Sequence, residues 1–222
     1  KWIQGTIESS ISQIVAIFIA ELRKDMKEVS ENEILKMMST NLEKILLAKP
    51  LDNKKVLGIV STGGRSRFKA ALVGSNGDLL EACTFNLMSS KSENVFADES
   101  LQSLFSLIKK HNVSHIAIGL SSSHKDFLFC LEKLLKENKL ESVKLYILNE
   151  KSSISYANSL AAIDGGKEFN MSTCVAISVA RRLQDPLAEL VKVYPRSIYI
   201  LQPQHDCSLN RLNETLVSVV RR

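Results

Sequence analysis

A chain of 222 residues, 45% of them hydrophobic, can bury a real core and suits one domain of ordinary size plus an appendage. Its 29 Lys and Arg against 24 Asp and Glu give a formal charge of +5, compatible with a polyanionic partner but too small to require one. Cys83, Cys130, Cys174 and Cys207 form no CxxC pair and no zinc-finger spacing, which argues against a metal knuckle or a disulfide framework and fits a reducing, intracellular compartment.

The sequence starts at Lys1 without an initiator Met and enters a helical pattern almost at once, as an excised segment of a longer protein would. Ile7, Ile11, Ile14, Val15, Phe18 and Leu22 predict a helix from Thr6 to about Met26. Ser30 and Glu33 have capping-box spacing, so a second helix is expected with Ile34, Met38, Leu42 and Ile45 as its stripe. The apolar run Ile14 to Ala20 is too short to span a bilayer and lacks a signal peptide's flanks, so no membrane role is expected. Pro50 and the polar run Asp52-Asn53-Lys54-Lys55 close this helical segment, residues 1–52.

Short apolar runs follow at 56–60, 68–73 and 79–87, the last two joined by the turn Ser75-Asn76-Gly77-Asp78, and they predict an antiparallel meander. Asp98 is placed to cap a helix carrying Leu101, Leu104, Phe105 and Ile108. Then come a strand at 115–120, a helix at about 123–137, a strand at 143–148 and a helix at 152–162. Three hairpin strands followed by alternating helix and strand define an α/β domain over 53–166, in the order of the ribonuclease H-like fold: a mixed five-stranded sheet with helices on both faces. In the C-terminal part, 167–222, a helix from about Ser172 meets Asp185-Pro186, where Asp185 caps a new turn. A short strand at 198–201 and a helix at 208–222 complete the chain.

The stretch Ser178-Val-Ala-Arg-Arg-Leu-Gln-Asp-Pro-Leu-Ala-Glu-Leu-Val-Lys192, with Pro195-Arg-Ser-Ile198 and Gln202-Pro-Gln-His-Asp206, strongly resembles the hallmark of the Tex family of transcription accessory proteins. Asn149-Glu150 with Ser153-Ile-Ser-Tyr-Ala157, Ile116-Ala-Ile-Gly119, and Asn41-Leu42 with Leu46-Leu47 before Val56-Leu-Gly58 resemble other family segments, so the likeness covers nearly the whole chain. It implies a YqgF-type domain flanked by helices. It also implies helix-hairpin-helix and OB-fold RNA-binding domains outside this chain, and a role in transcription or RNA metabolism. Nucleic acid, RNA rather than DNA, would then be bound mainly by those other domains, with the transcription machinery a further partner. Serine-rich loops point to a eukaryotic member, placed in nucleus or cytoplasm.

The departures from the family pattern bear on chemistry. Where Tex proteins carry Asp-Pro-Gly after the first strand's Leu-Gly and an aliphatic residue, this chain has Val60-Ser61-Thr62; Asn170 and Cys174 stand where Asp and Arg are usual. Ribonuclease H-like nucleases hold two divalent ions with carboxylates on the first strand, after the fourth or fifth, and on the last helix. The corresponding positions are Val60, Glu150 and Asp185, of which Glu150 reads as a vestigial ligand or a plain strand-end carboxylate, and Asp185 as a ligand or a helix cap. No catalytic residue, metal or cofactor is therefore expected.

Arg65, Arg67 and Lys69 form a basic strand edge and Arg181-Arg182 a basic helical step, each able to meet phosphates or to serve as solvated or structural charge. Gly63-Gly64-Arg65-Ser66 reads as a hairpin turn sooner than a phosphate cradle, and His205 beside Asp206 as a buried histidine sooner than a catalytic dyad. Met37, Met38, Phe127 and Phe129 are expected in core or interface positions. Three readings follow: a catalytically silent scaffold module of a nucleic-acid-binding protein, a metal-dependent nuclease or junction resolvase with a substitute acid, and a purely structural domain.

Overall fold

The computed structural model describes residues 2–51, 53–62, 67–86, 99–119, 125–140, 142–159, 170–198, 200 and 207–222. The chain divides into two compact units, Lys44–Tyr199 and the pair of segments Lys1–Glu43 and Ile200–Arg222.

Helix α1, Trp2–Leu46, is continuous, so the break expected at Ser30 is absent. Ser30 Oγ donates to the Met26 carbonyl oxygen one turn back, at 2.8 Å, the bond a serine makes inside a helix instead of capping a new one. The neighbouring polar side chains are used by a later helix, α7, Leu209–Val220. Glu31 accepts from Ser208 N at 2.7 Å and pairs with Arg211 at 3.0 Å, and Asn32 also accepts from Arg211. Leu35, Met38 and Leu42 of α1 and Leu212 and Leu216 of α7 are buried, whereas Ile3, Ile7, Ile11, Ile14 and Phe18 are exposed. Because those residues continue one helix instead of forming a short run, an 18-residue window of α1 is long and apolar enough to cross a bilayer, by length and composition only. The run Ile14 to Ala20 thus belongs to a longer apolar helix than its own length suggests.

The larger unit holds the sheet. Its strands are β1 Val56–Ser61, β2 Arg67–Val73, β3 Leu79–Asn86, β4 His115–Gly119 and β5 Lys144–Leu148, ordered β3-β2-β1-β4-β5. β1 pairs antiparallel with β2 and parallel with β4, and β4 is parallel to β5, which is the ribonuclease H-like topology. The β2–β3 hairpin turns through Gly77 at φ +87°, a value suited to glycine.

Alternation along each strand sends large and small side chains to opposite faces. Leu57, Ile59, Phe68, Leu72, Ile116 and Ile118 form one core with α2, Glu99–His111, and α3, Lys125–Glu137. Phe127 stacks on Phe68 there, ring centroids 4.0 Å apart, while Phe129, two positions or about 200° round the helix, and Met37 face outward. The other face carries Val56, Gly58, Val60, Ala71 and Ala117, and α5, Met171–Gln184, lies close upon it, flanked by α4, Lys151–Ala157. A Cβ added to Gly58 would collide with the Ala176 carbonyl oxygen and lie 3.1 Å from Ala180 Cβ, so only glycine admits the helix at this depth.

Asn170 caps α5 by accepting from Ser172 N, a role that a neutral side chain fills as well as an acid. Asp185 ends α5 and caps α6, Pro186–Leu190, as its sequence suggests: Oδ1 accepts from Ala188 N at 3.0 Å. Of the strand expected at 198–201, the described residues Ile198 and Ile200 are not in strand, and Ile198 ends a 3-10 turn at Pro195–Ser197. Asp98, the segment Gly63 to Ser66, His205 and Asp206 lie outside the described residues.

The Gly58 contact generates a stability prediction. Gly58→Ala should lower stability by about 2 kcal/mol or more through overpacking, read as an earlier urea midpoint. Gly5→Ala, in open space on α1, should be neutral or add up to about 1 kcal/mol. Equal midpoints for Gly58→Ala and the parent chain would refute the close approach.

Candidate functional site

The C-terminal ends of β1, β4 and β5 converge where a ribonuclease H-like nuclease gathers its metals. Gly119 marks the centre: a Cβ built there would meet Val60 Cγ1 and Val179 Cγ2, each at 3.0 Å, and Glu150 Cβ at 3.2 Å. Val60 is 1% exposed and Val179 fully buried, so β1 and α5 line this corner with methyl groups. Glu150, half-buried at the start of α4, is the carboxylate that shares it. Among the described residues no three His, Cys, Asp or Glu side chains come together to hold a metal ion.

Asp185 does not join this group. Gln184, just before it, donates through Nε2 to the carbonyl oxygens of Lys54, ahead of β1, and Gly74, after β2. Those positions lie at the opposite end of the sheet from Val60, and four residues of strand alone separate the ends by about 13 Å. Asp185 instead lines a groove of about 460 Å³ with Asn53, Asn76, Gly77, Arg181 and Glu189. Of the three expected acid positions, the fold brings Val60 and Glu150 together and leaves Asp185 at the far end.

The basic residues separate similarly. Lys69 is the register partner of Val60, with Nζ donating to Thr84 Oγ1 at 3.2 Å, and Arg67 is exposed at the start of β2; Arg65 lies outside the described residues. Arg181 Nε donates to the Gly77 carbonyl oxygen at 2.7 Å, clamping α5 to the hairpin turn. Arg182, expected as a phosphate contact, is 9% exposed, and its Nη1 donates to the Asn149 carbonyl oxygen at 2.9 Å and Ser152 Oγ at 2.8 Å. It holds the β5–α4 turn that presents Glu150, and burial depresses its pKa.

One grouping had no signal in the sequence. His115 and Tyr146 open and centre neighbouring parallel strands, and the register stacks their rings at 5.8 Å with an interplanar angle of 21°. His115 is buried and bonded at 2.8 Å to Ser114 Oγ; burial first, then the charges of Lys54 and Lys144, push its pKa down. Only the β4–β5 register, invisible from either strand's own pattern, could have revealed the pair.

Residues 54–184, more than half of the chain, match the model of the Tex protein YqgF-like domain. The chain belongs to the Tex family. Transcriptional accessory protein Tex of Neisseria gonorrhoeae is 32% identical over 99% of this chain, which spans 28% of that protein's length. A eukaryotic relative, human S1 RNA-binding domain-containing protein 1, is 26% identical over 99% of this chain, which spans 22% of it. Among solved structures, T. thermophilus RuvC in complex with a Holliday junction aligns over 57% of this chain and 90% of its own, with a TM-score of 0.41 and 16% identity. The yeast mitochondrial Holliday junction resolvase aligns over 81% and 89%, at 0.37 and 16%. Superpositions at these scores transfer no residue roles to the Tex chain.

Two predictions follow from the buried polar groups. Arg182→Met should cost about 1.5–3 kcal/mol, because Asn149 O and Ser152 Oγ lose a charged donor, whereas Arg67→Gln should cost under about 0.5 kcal/mol; equal urea midpoints would contradict the clamp. His115 has a folded pKa below its ordinary 6.5, so the unfolded chain takes up the proton first. Its contribution should be complete above pH 6.5 and be lost as pH falls below that value. Thermal melts of the parent chain and His115→Gln should therefore converge on acidification below pH 6.5, and a gap that widens there would refute the assignment.

Proposed function

We propose that this Tex-family chain is a catalytically silent YqgF-type module of an intracellular nucleic-acid-binding protein acting in transcription or RNA metabolism. The single observation that carries the reading is the corner at Gly119, where among the described residues Val60 and Val179 lie nearest and Glu150 brings a carboxylate without two further metal-ligating side chains beside it. Two-metal hydrolysis needs ions about 3.5–4 Å apart, bridged and flanked by several oxygen ligands, and valine offers none. Lys69, beside Val60 in register, and Arg67 at the strand end offer cationic contacts to a phosphate backbone without a metal. The names of the Neisseria and human relatives, a transcriptional accessory protein and an S1 RNA-binding domain protein, support the cellular setting, with RNA as the favoured partner.

Purified protein incubated with Mg²⁺ or Mn²⁺ and branched, duplex or single-stranded substrates should release no cleavage product, and Glu150→Gln should behave identically. Binding without metal should fall in the non-specific range, roughly 10⁻⁴ to 10⁻⁶ M at physiological salt, and weaken steeply as salt rises. Metal-dependent cleavage that disappears in a folded Glu150→Gln variant would replace this reading with the nuclease one.

A further inference from the structure

The β5 edge of the sheet carries a second set of groups. Tyr146 sits half-buried at the centre of β5, an edge strand, its ring stacked on the buried His115 that opens β4. Ser114 fixes the imidazole through the 2.8 Å bond to Nδ1, so His115 acts as a rigid backing for the tyrosine ring. Lys144 opens β5 on the same face as Tyr146, two residues away, and Lys54 approaches His115 from the segment leading into β1; both lysines are exposed. The Lys54 backbone is itself held, because its carbonyl oxygen accepts from Gln184 Nε2 at 2.7 Å. An aromatic ring held from behind, with lysines close to the stack, has the chemistry of a single-strand platform, in which a base stacks and neighbouring phosphates meet lysines.

We infer that Tyr146, backed by His115 and with Lys144 on its own strand and Lys54 on the far side of His115, is a stacking platform for single-stranded nucleic acid at the β5 edge of the sheet. The occupant is single-stranded because a paired base has both faces covered by its neighbours in the duplex and offers none to a protein ring. A phosphate backbone also matches the charge here, since among the described residues the charged groups that act on His115 are Lys54 and Lys144. This inference rests on the nucleic-acid reading above and assigns it a surface that the basic residues on β2 do not supply.

The test is fluorescence anisotropy of a labelled, unstructured single-stranded oligonucleotide titrated with the 222-residue chain and its variants at several salt concentrations, with circular dichroism confirming folding. Tyr146→Ala should weaken binding about five-fold or more, and Tyr146→Phe, which keeps the ring, should restore it. Lys54→Gln with Lys144→Gln should make the plot of log affinity against log salt shallower by about 1.4, two phosphate contacts at about 0.7 each. Arg67→Gln with Lys69→Gln should leave the Tyr146 effect intact. Binding by the parent chain that is unchanged in the folded Tyr146 and Lys54/Lys144 variants, with loss confined to Arg67/Lys69, overturns the platform and spares the nucleic-acid reading. No binding by the parent chain at any salt overturns both.

Discussion

Helix α5 rests on β1 where Gly58 leaves room for the Ala176 backbone, and the make-up of the Gly119 corner follows from that contact. Small residues line the interface on each side, Gly58, Ala71 and Ala117 below and Ala176 and Ala180 above, so the helix sinks toward the sheet. At this depth Val179 reaches Gly119 and Val60 and closes the corner with methyl groups. The same helix carries Arg182 into the β5–α4 turn, Arg181 to the hairpin turn and Gln184 to the two backbone carbonyls beyond the strand ends. One residue without a side chain thus sets the depth from which several fixed polar contacts are made.

Filling a metal corner with valines has an energetic logic. Clustered carboxylates repel one another and lose hydration on burial, costs that ligated ions or substrate phosphates offset in a working nuclease. Val60 and Val179 instead add buried apolar surface and leave no like charges to separate. Glu150 remains at the half-exposed start of α4, where a single carboxylate costs little. On the reading proposed above, the chain keeps the ribonuclease H-like frame and has packing where a nuclease has metal ligands.

Much of this was legible in the sequence, and the misses have physical causes. Strand alternation, the Ser75 to Asp78 turn and the Asp185-Pro186 cap are local signals, and the fold follows them closely. The Tex resemblance was legible in the Ser178 to Lys192 stretch, and the family match spans the domain. The break assigned to Ser30 failed because a serine can bond back within a helix, and Glu31 and Asn32 are engaged by residues far along the chain. Of the two readings of Asp185, the helix cap holds and the ligand beside Glu150 does not, because Asp185 follows the last residue of α5, whose Gln184 reaches the far end of β1. Arg182 read as a surface charge because sequence spacing does not say which of two adjacent arginines faces inward, and the His115–Tyr146 stack depended on strand register.

Titration of Mn²⁺ into ¹⁵N-labelled protein tests the metal-free module most directly, because paramagnetic broadening reports ion position without requiring catalysis. A corner where Val60, Val179 and Glu150 are the nearest described side chains should show only weak, dispersed broadening at exposed carboxylates, with the amides of Val60 and Gly119 no more affected than the rest. Selective loss of the Val60, Gly119 and Glu150 signals at near-equimolar Mn²⁺ would contradict the silent corner and place an ion where a ribonuclease H-like enzyme holds one.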